Sequence, residues 1–117
     1  MFDLKGKKAL VTGSTQGIGF AVAKLLANCG AEIIIHGATS EEKCRKAAEK
    51  ILGKTQIAVA NLADSDCAEN LYRQTGDIDI LVLNASVQIR KPWDKTTAEE
   101  FELQIHTNLK SSLMLIQ

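Results

Sequence analysis

Lys8-Ala9-Leu10-Val11-Thr12-Gly13-Ser14-Thr15-Gln16-Gly17-Ile18-Gly19 decides the fold, because its pattern changes period halfway along. Lys8 to Thr12 is a short β-prone run that stops at Gly13. From Gly17 to Asn28 the apolar residues Ile18, Ala21, Val22, Leu25 and Leu26 fall at helical spacing. A strand that enters a helix through a glycine turn begins a parallel crossover. Gly13 permits the tight turn, Gly17 lets the backbone approach a diphosphate, and Gly19 lets the helix pack on the strand. Free N–H groups at the helix start then meet the phosphates, assisted by the helix dipole.

Two other glycine turns fail by counting. A P-loop needs a Lys after a second glycine five residues on, but Ile18 stands at that glycine's position. A nucleophile elbow needs Ser at its centre, where this chain has Thr15. A glycine-rich turn with no ligand is the remaining alternative. Spacing, context and the alternation that follows all speak against it.

Outward from this stretch the two periods keep alternating. Cys29-Gly30 closes the first helix, and Glu32 to His36 is an almost continuously apolar strand, as a strand covered on both faces should be. Thr39-Ser40-Glu41-Glu42 predicts a capping box at Thr39 and a helix to about Ile51. Ile57 to Ala60 reads as a third strand, Ser65 to Thr75 as a third helix and Ile78 to Leu83 as a fourth strand. Thr97-Ala98-Glu99-Glu100 opens a helix expected to run unbroken to Gln117, with Phe101, Ile105 and Leu109 as its buried stripe. The order βαβαβαβα predicts the α/β class: a doubly wound parallel sheet of order 3-2-1-4, in which residues 1–117 form a single dinucleotide-binding domain. Ile80 to Leu83 look built for burial although they would form an edge strand. The last helix ends without cap, glycine or polar tail. The architecture is therefore expected to break off after the fourth helix.

Composition narrows the function classes. The 117 residues carry 14 Lys+Arg and 14 Asp+Glu, a net charge of zero that argues against nucleic acid and anionic membranes as partners. Ile78 to Leu83 is too short to span a bilayer, and Met1 to Lys8 lacks the order of a signal peptide. Cys29, Cys44 and Cys67 form no Cys-x-x-Cys pair, so they read as reduced thiols of a cytoplasmic protein. His36 and His106 have no second ligand at metal spacing, so no metal site is expected and both read as structural or solvated. Asp77 and Asp79 read as a polar strand start, and Lys5, Lys7 and Lys8 as a solvated edge.

Thr12-Gly13-Ser14-Thr15-Gln16-Gly17-Ile18-Gly19 resembles the cofactor loop of the short-chain dehydrogenase/reductase family, which has a Rossmann-like fold. Asp79-Ile80-Leu81-Val82-Leu83-Asn84-Ala85-Ser86 is similar to that family's Asp-Ile-Leu-Val-Asn-Asn-Ala-Gly segment, with Leu83 and Ser86 as departures. Gly37-Ala38-Thr39-Ser40-Glu41 resembles the same region of 3-oxoacyl-carrier-protein reductases. The likeness covers the whole chain, but only the cofactor-binding half of such an enzyme. It implies that Thr12, Gly13, Ser14, Gln16, Gly17, Ile18 and Gly19 hold a pyrophosphate, and that Asn61 and Leu62 flank an adenine. Asn84 and Ala85 would line the nicotinamide ribose, and Asn108 would hold a water of the proton relay. The family's catalytic Ser and Tyr-x-x-x-Lys have no match: the only tyrosine, Tyr72, is followed four residues on by Gly76.

The resemblance implies an NAD(P)-dependent oxidoreductase, moving hydride between nicotinamide and a carbonyl or alcohol carbon of a small molecule, and a homo-oligomer. An NAD site places an acid about 20 residues past the glycines. Here His36-Gly37-Ala38-Thr39-Ser40 offers none, so Thr39, Ser40 and the following helix start favour the 2′-phosphate of NADP over NAD. No Arg or Lys is expected near it, because Gln16 takes the place where the family often has one. The other reading is a non-catalytic dinucleotide-binding or dimerising module, its apolar last helix and fourth strand forming the interface.

Overall fold

The computed structural model describes residues 2–117; Met1, where the leader reading starts, lies outside the described residues. Four parallel strands, β1 (Lys8–Val11), β2 (Glu32–Gly37), β3 (Thr55–Val59) and β4 (Ile80–Val82), pair in the order β3-β2-β1-β4. Leu10 is in register with Ile34 on one side and Leu81 on the other. This is the doubly wound, Rossmann-like α/β sheet that the alternation predicts. The crossovers are α1 (Gly17–Asn28), α2 (Glu41–Glu49) and α3 (Cys67–Thr75).

β2 lies between β1 and β3, which explains its unbroken apolar run. Ile33 and Ile35 bury against Ala23, Cys44 and Ala47 on the α1–α2 face. Ile34 buries with Ala58, Leu62, Cys67 and Leu71 on the opposite, α3 face. Burial of such branched side chains contributes about 2 kcal/mol each. At the other end of the sheet the backbone N–H of Lys8 donates to Asp79 Oδ2 (2.9 Å), and the Asp79 N–H donates to the Lys8 carbonyl (2.8 Å). The polar start of β4 thus sets its register on β1.

Two expectations about helices need correction. The cap of α2 is Ser40, not Thr39: Ser40 Oγ accepts the N–H of Lys43 (3.1 Å), so the helix starts one residue later than a capping box at Thr39 requires. The final helix is also not continuous. α4 (Ala98–Ile105) gives way to a π turn over His106–Lys110 and then to α5 (Ser111–Ile116). Thr97 does supply the expected capping box, reciprocated by Glu100.

The expected stripe is on the wrong face. Phe101 is 60% exposed and Leu109 64% exposed, whereas Thr107 and Ser111 are buried. Small polar residues thus take the inward positions of this turn, and Ser111 Oγ donates to the Thr107 carbonyl (2.6 Å), satisfying a group inside the widened turn. Among the described residues, no helix is long and apolar enough to cross a membrane. Nor does any cluster of His, Cys, Asp and Glu there have the makings of a metal site.

Candidate dinucleotide site

The carboxyl ends of β1 and β4 are stitched together at Thr12 and Asn84. Thr12 Oγ1 accepts the backbone N–H groups of Asn84 and Ala85, both at 3.0 Å. In return Asn84 Nδ2 donates to the carbonyls of Thr12 (3.2 Å) and Gly13 (3.1 Å). A side-chain amide has two N–H donors, so one residue holds both carbonyls of the turn.

This stitching leaves no room for side chains. Gly13 has φ +64°, and a Cβ there would sit 2.9 Å from Ala85 Cα. At Gly19 a Cβ would come within 2.4 Å of the Gly13 carbonyl oxygen and 2.5 Å of Asn84 Nδ2. The turn therefore brings α1 directly onto the end of β1. Gln16 precedes α1 without capping it through its side chain, and the first turn holds no acid. The positive end of the α1 dipole is left uncompensated. It stands at an exposed turn, where Gln16 and Gly17 are open and Ile18 is 77% exposed.

Ser14 is turned inward. Its Oγ accepts the His36 N–H (2.9 Å), and its own N–H donates to the His36 carbonyl (3.0 Å). The His36 ring, 1% exposed, takes the Gly13 N–H on Nδ1 (2.9 Å) and reaches the Ala60 carbonyl through Nε2 (2.8 Å). Burial pushes its pKa below the ordinary 6.5, opposed by the bond to Ala60. This is the structural role read for His36; His106 Nε2 lies 3.1 Å from the Asp64 carbonyl.

Just past β3, Asn61 is exposed, with its Oδ1 accepting the Ala63 N–H (2.9 Å). Leu62 is buried in the core with Cys67 and Leu71 of α3, so its side chain is not free to contact a ligand. Thr39 is exposed beside the Ser40 cap. The absence of a nearby cation is corrected. Lys43, Lys46 and Lys50 of α2 line, with Thr15, Gln16 and Phe20, a hollow of about 330 Å³ beside the glycine turn. Lys46 pairs with Glu42 (3.3 Å). The signal was the spacing of the three lysines, which puts them on one helix face. A larger hollow of about 640 Å³ lies between α3 and α5, lined by Leu71, Ile78, Leu81 and Met114, away from all these groups.

Asn108 lies in the π turn. Its Oδ1 accepts the Val87 N–H and its Nδ2 donates to the Val87 carbonyl, both at 2.7 Å. The side chain is thus committed to the segment that follows Asn84 and Ala85. Gln104 assists by accepting the Ile89 N–H on Oε1 (3.1 Å), a contact that no pattern of residue types marks in advance. Tyr72 is remote from this constellation. Its hydroxyl donates to Asp77 Oδ1 (2.8 Å), and that bond raises its pKa, the reverse of what a proton donor needs.

Parallel crossovers, a glycine turn with no room for a side chain at Gly13 or Gly19, and an Asn-braced fourth strand define a Rossmann-like α/β fold. The family model described as short chain dehydrogenase matches residues 7–117, and the chain belongs to that family. It is 36% identical over 115 residues to a 3-oxoacyl-(acyl-carrier-protein) reductase of Rickettsia prowazekii, covering 98% of this chain and 47% of that relative. It is also 36% identical over 124 residues to the 5-keto-D-gluconate 5-reductase of Escherichia coli K12, covering all of this chain and 48% of the relative. Among solved structures, a 3-oxoacyl (acyl-carrier-protein) reductase from Agrobacterium tumefaciens C58 with NADP bound superimposes with a TM-score of 0.92 at 34% identity, over 99% of this chain and 47% of the other. The chain spans about half the length of the curated relatives it matches.

Proposed function

We propose that residues 1–117 are the dinucleotide-binding domain of an NADP-dependent carbonyl reductase, in which hydride passes between nicotinamide and a carbonyl or alcohol carbon. The observation that carries this reading is the acid-free start of α1, without a side-chain cap, beside a hollow lined by Lys43, Lys46 and Lys50. An anion belongs at such a helix end, and no carboxylate follows β2 in Gly37-Ala38-Thr39-Ser40 to repel a 2′-phosphate. The NADP in the Agrobacterium structure agrees with this choice.

In this reading the backbone of Gln16, Gly17, Ile18 and Gly19 cradles the pyrophosphate; the N–H groups of Gly13 and Ser14, expected to share in this, are already given to His36, so these two residues and Thr12 shape the turn instead. Thr39 and Ser40 border the 2′-phosphate. Asn61 and the Leu62 backbone flank the adenine, and Asn84 and Ala85 border the nicotinamide ribose. Asn108 serves the relay by pinning Val87, so that any relay water rests on backbone and not on its occupied amide. Tyr72 is unsuited as the proton donor, which we place outside these residues. The exposed row Phe101, Ile105, Leu109, Leu113 and Ile116 is the face on which copies of the chain would associate.

Titration calorimetry with NADP+ and NAD+ tests the cofactor. The expected result is binding of both, with NADP+ tighter by about tenfold, the worth of roughly 1.4 kcal/mol of charge pairing. Equal affinities would remove the preference, and no binding of either would remove the function. With NADPH and a panel of ketones, the chain alone should show no turnover.

A further inference from the structure

We propose that the neutral imidazole of His36 is a positioning residue of the dinucleotide crevice, a two-ended clamp that fixes the glycine turn relative to the end of β3. The proposal rests on the cofactor reading above. Its ground is the pair of ring contacts. The Gly13 N–H donates to Nδ1 at 2.9 Å, so Nδ1 carries no proton. Nε2 lies 2.8 Å from the Ala60 carbonyl and must be the protonated nitrogen, since a carbonyl only accepts. One tautomer of the neutral ring satisfies both partners, and neither the other tautomer nor imidazolium does.

The two anchor points are the two walls of the crevice. Gly13 begins the turn whose amides meet the pyrophosphate, and Ala60 immediately precedes Asn61 and Leu62 on the adenine side. The backbone ties between Ser14 and His36 hold the ring's own main chain against the turn. Binding then requires no closure of one wall on the other, which removes an ordering cost from the affinity. Without the ring, the Gly13 N–H loses its acceptor and the Ala60 carbonyl its donor. Buried polar groups left without partners weaken the folded turn.

Few titratable groups surround the ring. On its face of the sheet, α3 brings buried Cys67, with Asp64 and Asp66 just before it, and the π turn brings His106. The opposite face brings Cys44. The glycine turn and β3 bring only backbone. Burial sets the direction in which the imidazole is shifted.

The test compares the intact chain with His36→Asn and His36→Leu, using NADP+ as the probe. Asn keeps an acceptor near Nδ1, whereas Leu keeps only bulk. At pH 8, His36→Asn should bind within about threefold of wild type, and His36→Leu should bind about tenfold more weakly while melting cooperatively. On acidification the wild type should lose affinity beyond what His36→Asn loses; titration of the ligand cancels in that comparison. Nitrogen NMR of the unligated chain should show an unprotonated Nδ1 and a slowly exchanging Gly13 amide. Wild-type affinity in a folded His36→Leu, identical pH profiles for wild type and His36→Asn, or a proton on Nδ1 would each overturn the clamp. If the wild type binds no dinucleotide, the cofactor reading fails and the proposed positioning of a bound dinucleotide with it; the NMR result then reports separately whether the ring joins the two walls.

Discussion

Thr12 and Asn84 brace the turn from both sides: the Thr12 hydroxyl accepts the Asn84 N–H, and the Asn84 side-chain amide donates to the carbonyls of Thr12 and Gly13 in return. Because Thr12 is 1% exposed, its hydroxyl cannot turn to water. Thr12→Val keeps the shape and removes the acceptor for the Asn84 and Ala85 N–H groups. We expect a loss of about 2 kcal/mol, a fall in Tm of roughly 10 °C for a domain of this size. Thr12→Ser keeps the oxygen and should melt within about 3 °C of wild type. Equal melting of the two variants would show that the hydroxyl is not the part that matters.

The two later glycines should respond differently to Ala. At Gly19 the new methyl meets the Gly13 carbonyl oxygen at 2.4 Å, and that oxygen is backbone held by Asn84, so it has nowhere to move. Gly19→Ala should therefore cost about 1–3 kcal/mol and abolish dinucleotide binding. Gly17 has φ +63° but open space around it. Gly17→Ala should cost about 1 kcal/mol from backbone conformation alone. Thermal melts with and without NADP+ distinguish the cases.

The buried imidazole also makes stability depend on pH. His36 has a folded pKa below 6.5, so the unfolded chain takes up the proton first as the solution is acidified. Its contribution is complete above 6.5, declines as pH falls below that value, and levels off once the folded pKa is passed. Melting curves at about pH 8, 6.5 and 5 should show a loss confined to the acid step. His36→Asn should flatten that step.

Thiol reactivity should follow burial. Cys44 and Cys67 are buried, and burial pushes both thiols up, so little thiolate forms at neutral pH. Cys29, half-buried at the end of α1, is the accessible one. A disulfide reagent should modify Cys29 alone in the native protein and all three cysteines after denaturation.

The order of the strands was legible because hydrophobic period and glycine punctuation agree at every crossover. Gly13, Gly17 and Gly19 could be placed by spacing because backbone, not side chain, does their work. The final helix was misread for the opposite reason. Its less exposed residues include the polar Gln104, Thr107 and Ser111, while the apolar Phe101 and Leu109 face outward. No periodicity of apolar residues reveals an inward face made of polar residues. Similarly, His36 gave no sequence signal beyond its position, since its partners are the main chain of Gly13 and Ala60.

Charge near the glycine turn offers the sharpest check on the cofactor. Lys43, Lys46 and the α2 cap Lys50 share one face toward Thr15 and Gln16, where the proposed cofactor reading puts the 2′-phosphate. Lys46 already faces Glu42, so Lys43 and Lys50 should carry most of the attraction. An exposed pairing of this sort is worth up to about 1 kcal/mol, so Lys43→Ala should weaken NADP+ about fivefold and leave NAD+ unchanged. Lys43→Glu should weaken NADP+ further, through repulsion. Raising salt from about 0.05 to 0.5 M should narrow the gap between the cofactors in the wild type, because screening acts on exposed charge. If the Lys43 substitutions weaken NAD+ and NADP+ alike, the lysines support the helix and not the phosphate.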